Sequence, residues 1–423
     1  MSGDRDAFRA PIGTRDVLAP ESDRWQALVA AFAGRANRAG FGMLVTPVFE
    51  NIEVVQKLGS TTDVVRKELY DFEDKGGRRL ALRADGTASV ARAFVQHRPV
   101  LPWKVWYVAP NFRYERPQKG RYRQHWQVGV EVLGVEDPTV DVEVIALASG
   151  FYRELGLERY RLSVNSMGDA ESRAAYRDVL VSYWRDNAAA LGDELERAEA
   201  NPLRILDSKR TDWAELIDGA PKVGDYLTST SADQFVQVQD GLRALGIDFV
   251  VEPRLVRGLD YYTGTTFEFA SEALDAAQNA IGGGGRYDRL AEDMGGPATP
   301  GIGFGIGIER VLIACDAEGV FAAGDRGLDA FVVDLVGGTE PLVIVEELRS
   351  AGLAVDRAYG ARAMKRQFAA ADKSGARFGL ILGAKELDAG LVGVKDLESG
   401  EQVEVPRGEI VAWLQSRKDD TSR

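Results

Sequence analysis

Read with a period of two, Gln127-Val128-Gly129-Val130-Glu131-Val132 sets Gln127, Gly129 and Glu131 on one face of a strand and the three valines on the other. Such a strand belongs to a sheet that is packed beneath and polar above. Upstream, Phe112-Arg113-Tyr114-Glu115 predicts a partner strand with Arg113 and Glu115 on one face, and Pro117 and Gly120 predict the turn between them. In Gly301-Ile302-Gly303-Phe304-Gly305-Ile306-Gly307-Ile308 glycine takes every second position, so one face carries no side chains while the other is apolar. A flat ring can lie on that bare face; tight packing of a helix is the structural alternative. Gly282-Gly283-Gly284-Gly285 predicts either a flexible loop or a backbone brought close to a ligand.

Helical spacing of Trp25, Leu28, Val29, Phe32 and Ala36 predicts a helix over 21–40. Residues 43–50 read as a strand, and Pro47 places it at an edge, a bulge or a boundary between subunits. Residues 68–72 and 79–83 predict a hairpin about the glycines 76 and 77. Asp85, at the junction with a helix through 88–94, is either an N-cap or a carboxylate aimed at a bound ammonium group. A helix over 139–155 and a strand over 160–165 follow. The charged, helical stretch 169–222, broken at Asn201-Pro202, reads as an insertion. Strand character resumes at 249–252 and leads into a polar run, 255–269, bracketed by Gly258 and Gly264. From residue 329 strands alternate with helices, which marks a separate small α/β domain beginning past 324–327.

At 423 residues with 45% hydrophobic content the chain has room for two or three domains. One cysteine, Cys315, excludes an internal disulfide, and two histidines, His97 and His125, exclude a Cys/His zinc cluster. A reducing cytoplasm fits, with no targeting segment and no run approaching the roughly 20 apolar residues that cross a bilayer. The net charge of −13 argues against a surface coated in nucleic acid. Between 113 and 123, however, five cations (Arg113, Arg116, Lys119, Arg121 and Arg123) face a single acid, Glu115. No P-loop, dinucleotide-binding or His-Glu-x-x-His motif is present, and nothing near either histidine supports a nucleophilic triad. Arginines beside polar strand faces point instead to phosphoryl-oxygen chemistry, in which substrates are positioned and charge is neutralised.

These residues resemble the class II aminoacyl-tRNA synthetases, and within them the histidyl-tRNA synthetase family, over nearly the whole chain. Pro47 and its preceding helix look like motif 1, 112–115 with 127–131 like motif 2, and Gly305-Ile306-Gly307-Ile308-Glu309-Arg310 like motif 3. Arg257-Gly258-Leu259-Asp260-Tyr261-Tyr262 and Gly284-Gly285-Arg286-Tyr287-Asp288 are similar to the histidine-specific signatures, and 363–396 to the anticodon-binding domain. The resemblance implies an α/β (α+β) fold: an antiparallel-sheet catalytic domain (1–168 and 223–325), a helical insertion (169–222) and a C-terminal α/β anticodon-binding domain (328–423).

It also implies site residues. Arg113 and Arg257 would be catalytic, flanking the α-phosphate of ATP, with Arg257 doing work that other class II members give to a metal ion. Histidine would be bound by Asp85, Gly86, Thr87, Arg113, Gln127, Glu131, Arg257, Tyr261 and Tyr262. Glu131 and Tyr262 would hold the imidazole nitrogens, and Asp85, Thr87 and Gln127 the ammonium group. ATP would meet Arg113, Glu115, Arg121, His125 and Arg310. Arg116, Gln118, Lys119 and Arg123 would face the acceptor end of tRNA, and the insertion would clasp it. Mg²⁺ is implied with ATP, no protein-bound structural metal is, and the implied partners are ATP, L-histidine, histidine tRNA and a second copy of the chain, in the cytoplasm. The competing reading is a histidine-sensing regulatory paralogue of ATP phosphoribosyltransferase. The chain departs from the family pattern at Ala84-Asp85, where Pro-Glu is usual, at His125, where phenylalanine is expected, and at Trp126, where histidine is usual.

Overall fold

The computed structural model describes residues 8–57, 59, 62–206, 208, 210–256, 261–275, 279–322, 327–360 and 363–421. The chain divides into two compact units, Met1–Ala323 and Gly324–Arg423. In the first, an eight-stranded sheet runs in the order Gly42–Met43, Trp103–Phe112, Gln124–Leu133, Gly301–Gly307, Ala280–Arg286, Thr263–Ser271, Tyr160–Ser166, Val250–Val251. The short strands at both edges pair in parallel with their neighbours, and every pairing between them is antiparallel.

Alternation decides which face is buried. Val128, Val130, Val132, Ile302, Phe304, Ile306, Phe267 and Phe269 point down onto the helices Glu21–Arg38 and Thr139–Glu154, whose Leu28, Phe32, Ile145 and Phe151 complete one core. Phe32 makes edge-on contacts with Trp106, Phe151 and Phe304 at 6.2, 5.1 and 6.1 Å, arrangements that add about 0.5–1.5 kcal/mol each beyond area burial. The opposite face carries Gln127, Gly129 and Glu131, paired in register with Gly307, Gly305 and Gly303, and Tyr107, which pairs with Gly129 from the other side.

Both glycine runs lie inside this sheet. The flexible-loop expectation for 282–285 is overturned, because these residues form the strand Ala280–Arg286, paired on both sides. A Cβ on Gly284 would stand 1.9 Å from the Gly303 carbonyl oxygen. The bare face of 301–307 is also shorter than expected: a Cβ on Gly301 would meet the Tyr287 ring at 2.3 Å, one on Gly303 the Glu131 carboxylate at 1.8 Å and one on Gly305 the Gln127 Oε1 at 3.2 Å, so only Gly307 has nothing within 4 Å.

The single strand expected over 43–50 is two. Gly42–Met43 pairs with Val105 and Trp106, the backbone breaks across Pro47, and Phe49–Asn51 joins a three-stranded sheet with Asp71–Glu73 and Arg79–Leu82. Buried Arg83 spans the break, donating from Nε to the Pro110 carbonyl (2.7 Å) and from Nη1 to Thr46 Oγ1 (2.8 Å).

The helix Ala170–Asp186 opens the stretch read as an insertion, capped by Asp169 Oδ1 on the Ser172 amide at 2.8 Å. Tyr176, Leu180, Trp184, Trp213, Leu216 and Ile217 give this stretch an apolar cluster of its own. The following helix, Ser229–Ala244, was not expected; it buries only Ser231, Val238 and Leu242, too thin a stripe to read as a helical face. The second unit is a five-stranded sheet in the order Val355–Arg357, Ala330–Asp334, Phe378–Leu382, Leu391–Asp396, Gln402–Pro406, parallel in its first two pairings and antiparallel in the last two.

Arg286, at the end of its glycine strand, pins the sheet to the helix Thr139–Glu154. Its guanidinium pairs with Asp141 through Nη2 (2.7 Å) and Nε (3.0 Å) and donates to the carbonyls of Val135, Glu136 and Asp137. Both side chains are buried, and burial pushes the Asp141 carboxyl upward against the pull of Arg286. Arg286→Ala strands that acid without its cation and is expected to destabilise the first unit by roughly 3–5 kcal/mol, read as a fall in the thermal midpoint. A midpoint unchanged within a degree would show that the pair holds nothing together.

Candidate active site

On the upper face of the sheet Glu131 has no exposure to solvent. Its carboxyl accepts hydrogen bonds from Thr87 Oγ1 (2.7 Å), the Tyr287 hydroxyl (2.6 Å) and, more weakly, the Tyr107 hydroxyl (3.5 Å). Burial pushes it up to about 8; the hydroxyls of Tyr287, Thr87 and Tyr107 oppose the shift and the nearby charge of Asp85 adds to it. The group therefore holds its proton at neutral pH.

Local sequence makes room for this cage. Thr87 opens the helix Thr87–His97, and Gly86 before it lies where a Cβ would run into the Tyr107 ring at 2.4 Å. Tyr107 stands opposite Gly129, whose Cβ would approach the same ring at 2.5 Å. Beside the cage, Tyr261 lies 4.7 Å from Tyr262 and 5.9 Å from Tyr287, centroid to centroid.

Asp85 caps the helix start, the first of its two readings. Its Oδ1 accepts the Ala88 amide (3.2 Å), closing the first turn of the helix, while its Oδ2 accepts the Tyr261 hydroxyl (3.2 Å). Burial raises its pKa and the Arg113 charge works against that. Gln127, next along the Glu131 face, accepts from the fully buried Asn111 amide at 2.7 Å.

Gln127 also lines the adjoining cavity, of about 180 Å³, with Arg113, Glu115, Arg121, Tyr122, His125, Gly305, Gly307, Glu309 and Arg310. All five residues expected to meet ATP thus border one space. Arg113 is fixed by Nε on the Ala84 carbonyl (3.0 Å), and Arg310 by Nε on Gly120 (3.1 Å) and Nη1 on Ala280 (2.9 Å). Arg121 pairs with Glu115. Burial, reinforced by the positive charges of Arg113 and Arg310, pushes the His125 imidazole down to about 3, so the ring is neutral throughout the physiological range.

The turn beyond the cavity, closed by mutual backbone bonds of Gln118 and Arg121 with Gly120 at φ +74°, leaves Arg116, Gln118 and Lys119 exposed. Arg123 does not join them. It is half-buried, with Nε on the Glu115 carbonyl (3.2 Å) and its guanidinium 3.9 Å from the Tyr114 ring centroid. Arg257, with Gly258, Leu259 and Asp260, lies outside the described residues.

Five residues of the site carry no assigned role in the sequence: Tyr107, Asn111, Tyr122, Tyr287 and Glu309. Tyr107 is legible once 103–112 is read with a period of two, and Tyr287 and Glu309 sit inside quoted motifs. Glu309, buried, accepts the Trp126 amide on both oxygens (3.0 and 3.2 Å), and burial pushes it up to about 7.

The histidyl-tRNA synthetase family model matches residues 13–311, and an anticodon binding domain model matches 332–417. A histidine–tRNA ligase of Geobacillus thermodenitrificans is 47% identical over 421 residues, covering 97% of this chain and 99% of that protein. The crystal structure of the apo histidyl-tRNA synthetase of S. aureus superimposes with a TM-score of 0.82 at 33% identity, over 96% of this chain and 99% of that one. A Bacillus halodurans structure described as an ATP phosphoribosyltransferase regulatory subunit/histidyl-tRNA synthetase shares the fold, with a TM-score of 0.66 at 20% identity over 89% of this chain and 99% of its own. On the family match and the full-length identity together, this chain belongs to the histidyl-tRNA synthetase family.

Proposed function

We propose that the chain is a histidine–tRNA ligase, which activates histidine with ATP to histidyl-adenylate and pyrophosphate and then transfers histidine to the 3′ end of its tRNA. The observation that carries the reading is a buried, hydroxyl-caged carboxyl, Glu131, one polar side chain away from a cavity bordered by Arg113, Arg121 and Arg310.

In this mechanism the imidazole lies between Glu131 and Tyr262, and the ammonium group meets Asp85, Gln127 and the acceptor lone pairs of Thr87. The histidine carboxylate then points toward Arg113. As a carboxylate oxygen attacks the α-phosphorus in line and pyrophosphate leaves, charge gathers on the phosphoryl oxygens. Arg113, with Arg257 proposed opposite, neutralises it; one such fixed donor is worth about 10²–10³ in rate. A guanidinium fork serves two oxygens at once, which an ammonium cannot. Arg310 is assigned to adenine and the γ-phosphate. Mg²⁺ brought in with ATP would supply further neutralisation of the departing pyrophosphate. A pocket that pairs both ring nitrogens rejects analogues that cannot, by about 10⁴–10⁵, and needs no editing domain.

The exposed Arg116, Gln118 and Lys119 are assigned to the acceptor end of tRNA, the second unit to its anticodon arm and the insertion to clasping the tRNA. Around the Pro47 break Met43, Val45 and Phe49 are 55%, 79% and 52% exposed, an apolar edge that a second copy would cover in a homodimer. Among the described residues no helix is long and apolar enough to cross a membrane. The fold shared with the B. halodurans protein keeps a second reading in view, histidine sensing without chemistry. The arginine-bordered cavity and the matched anticodon binding domain favour the ligase.

Purified protein with ATP and histidine is expected to exchange pyrophosphate into ATP, and Arg257→Ala and Arg113→Ala each to lose about a hundredfold or more of that rate. Intact histidine binding without exchange in the unmutated protein would favour the sensor. Removing 328–423 should abolish tRNA charging while exchange persists; charging that survives would refute the anticodon assignment.

The pH dependence of histidine affinity follows from Glu131. Free, the pair holds two protons below about pH 6.5 (carboxyl and imidazolium), one between about 6.5 and 8, and none above. Bound, carboxyl and imidazole share one. Affinity should therefore be flat between about pH 6.5 and 8 and fall about tenfold per unit on either side. Glu131→Gln should weaken binding about 10- to 100-fold and remove the upper limb that belongs to the carboxyl. Titration calorimetry in which the unmutated protein gains affinity steadily up to pH 9 would contradict this.

A further inference from the structure

The segment 13–15 belongs to no motif assigned above, yet it touches the hairpin that carries Arg113. The Gly13 carbonyl accepts the amides of Arg123 (2.8 Å) and Gln124 (3.3 Å), and the Arg123 carbonyl in turn accepts the Arg113 amide (2.8 Å). Residue 123 is thus a middle rail, with Gly13 on one side and Arg113 on the other. Gly13 is held at φ +84°, and a Cβ there would stand 2.6 Å from Arg123 Cγ, so the close approach requires glycine on two counts.

Two residues on, Arg15 fastens the segment. Its guanidinium makes a two-pronged contact with Glu21 (2.7 and 2.5 Å), at the start of the helix Glu21–Arg38, and lies 5.2 Å from the Tyr122 ring centroid. Its charge also acts on Glu309. Tyr122 and Glu309 both line the 180 Å³ cavity, and Glu309 holds the amide of Trp126, beside His125. Trp126 packs edge-on against Trp25 of that same helix at 5.7 Å.

We propose that residues 13–15 are a strap that positions the nucleotide-facing hairpin: Gly13 sets the placement of Arg113 through Arg123, and Arg15 sets that of Tyr122. Neither strap residue lines the cavity. Gly13 and Arg15 are positioning residues, and the inference rests on reading that cavity as the ATP site. A strap on this side of the hairpin acts on phosphate and adenine contacts and leaves the Glu131 cage, built from Thr87, Tyr107 and Tyr287, untouched.

The test is full-length Gly13→Ala, Arg15→Ala and Arg15→Lys, with ATP affinity and histidine affinity measured separately by calorimetry, thermal midpoints, and exchange rates at saturating ATP. Gly13→Ala and Arg15→Ala should weaken ATP binding about tenfold and slow exchange by a similar factor; histidine affinity should stay within about twofold in Arg15→Ala and fall less than ATP affinity in Gly13→Ala, because Arg113 also faces the histidine carboxylate. Arg15→Lys, which keeps the charge and loses the fork, should fall between. ATP affinity unchanged in both alanine variants overturns the inference. So does a parallel loss of ATP affinity, histidine affinity and thermal midpoint, which is the signature of a merely structural segment. If the unmutated chain binds ATP but makes no adenylate, the ligase reading fails while the affinities still decide the strap; if it binds no ATP, both fail.

Discussion

Glu131 sits on the face of a sheet with no water against it, and much of the first unit is arranged to make that tolerable. A carboxyl in such a place costs several kcal/mol if ionised and alone, so it is kept neutral and surrounded by hydroxyl groups. Thr87 comes from a helix, Tyr107 from a strand and Tyr287 from the residue just past the end of another, so the cage ties those elements to one point. Space for it comes from glycine. Gly86 and Gly129 clear the Tyr107 ring, Gly301 clears Tyr287, and Gly303 clears the carboxyl itself. The glycines that weaken these strands as isolated segments are the condition for burying the acid.

The adjoining cavity is built on the opposite electrical principle. Arg113 and Arg310 are fixed by their Nε atoms to backbone carbonyls. Such cations need no reorganisation when phosphate charge develops, which is where electrostatic catalysis gains most. Gln127, neutral and held by Asn111, forms the wall between the two environments. A carboxylate at that wall would draw on the cations of one chamber and add repulsion to the acid of the other.

Those parts of the site that follow from a period of two were legible in the sequence. Gln127, Gly129 and Glu131 share a face in the structure because strand pleating leaves no other option. Residues that depend on tertiary approach were not. Tyr107 matters because it lies opposite Gly129, which is a fact of register, and His125 is neutral because of what surrounds it. The run 282–285 was ambiguous for a plain reason: four glycines carry no side-chain pattern, so their place between two strands shows only when the neighbours' carbonyls are in position. Pro47 signalled an edge, and the structure turns that into a break between two sheets, because a residue without an amide proton cannot continue the ladder that Gly42–Met43 begins.

The departures at 125 and 126 resolve by the same alternation. Trp126, between His125 and Gln127, points to the lower face and packs against Trp25 and the apolar core, so its indole never enters the cavity. His125 does line the cavity, where phenylalanine is the family expectation. With its pKa pushed down to about 3, it brings an uncharged aromatic ring and adds no cation beside Arg113 and Arg310. Relative to phenylalanine the exchange costs stacking area and adds ring nitrogens that can hydrogen-bond. Burial makes the neutral form the favoured one, and the positive charges of Arg113 and Arg310 oppose protonation further, so the two arginines that border the cavity also help keep its histidine ring uncharged.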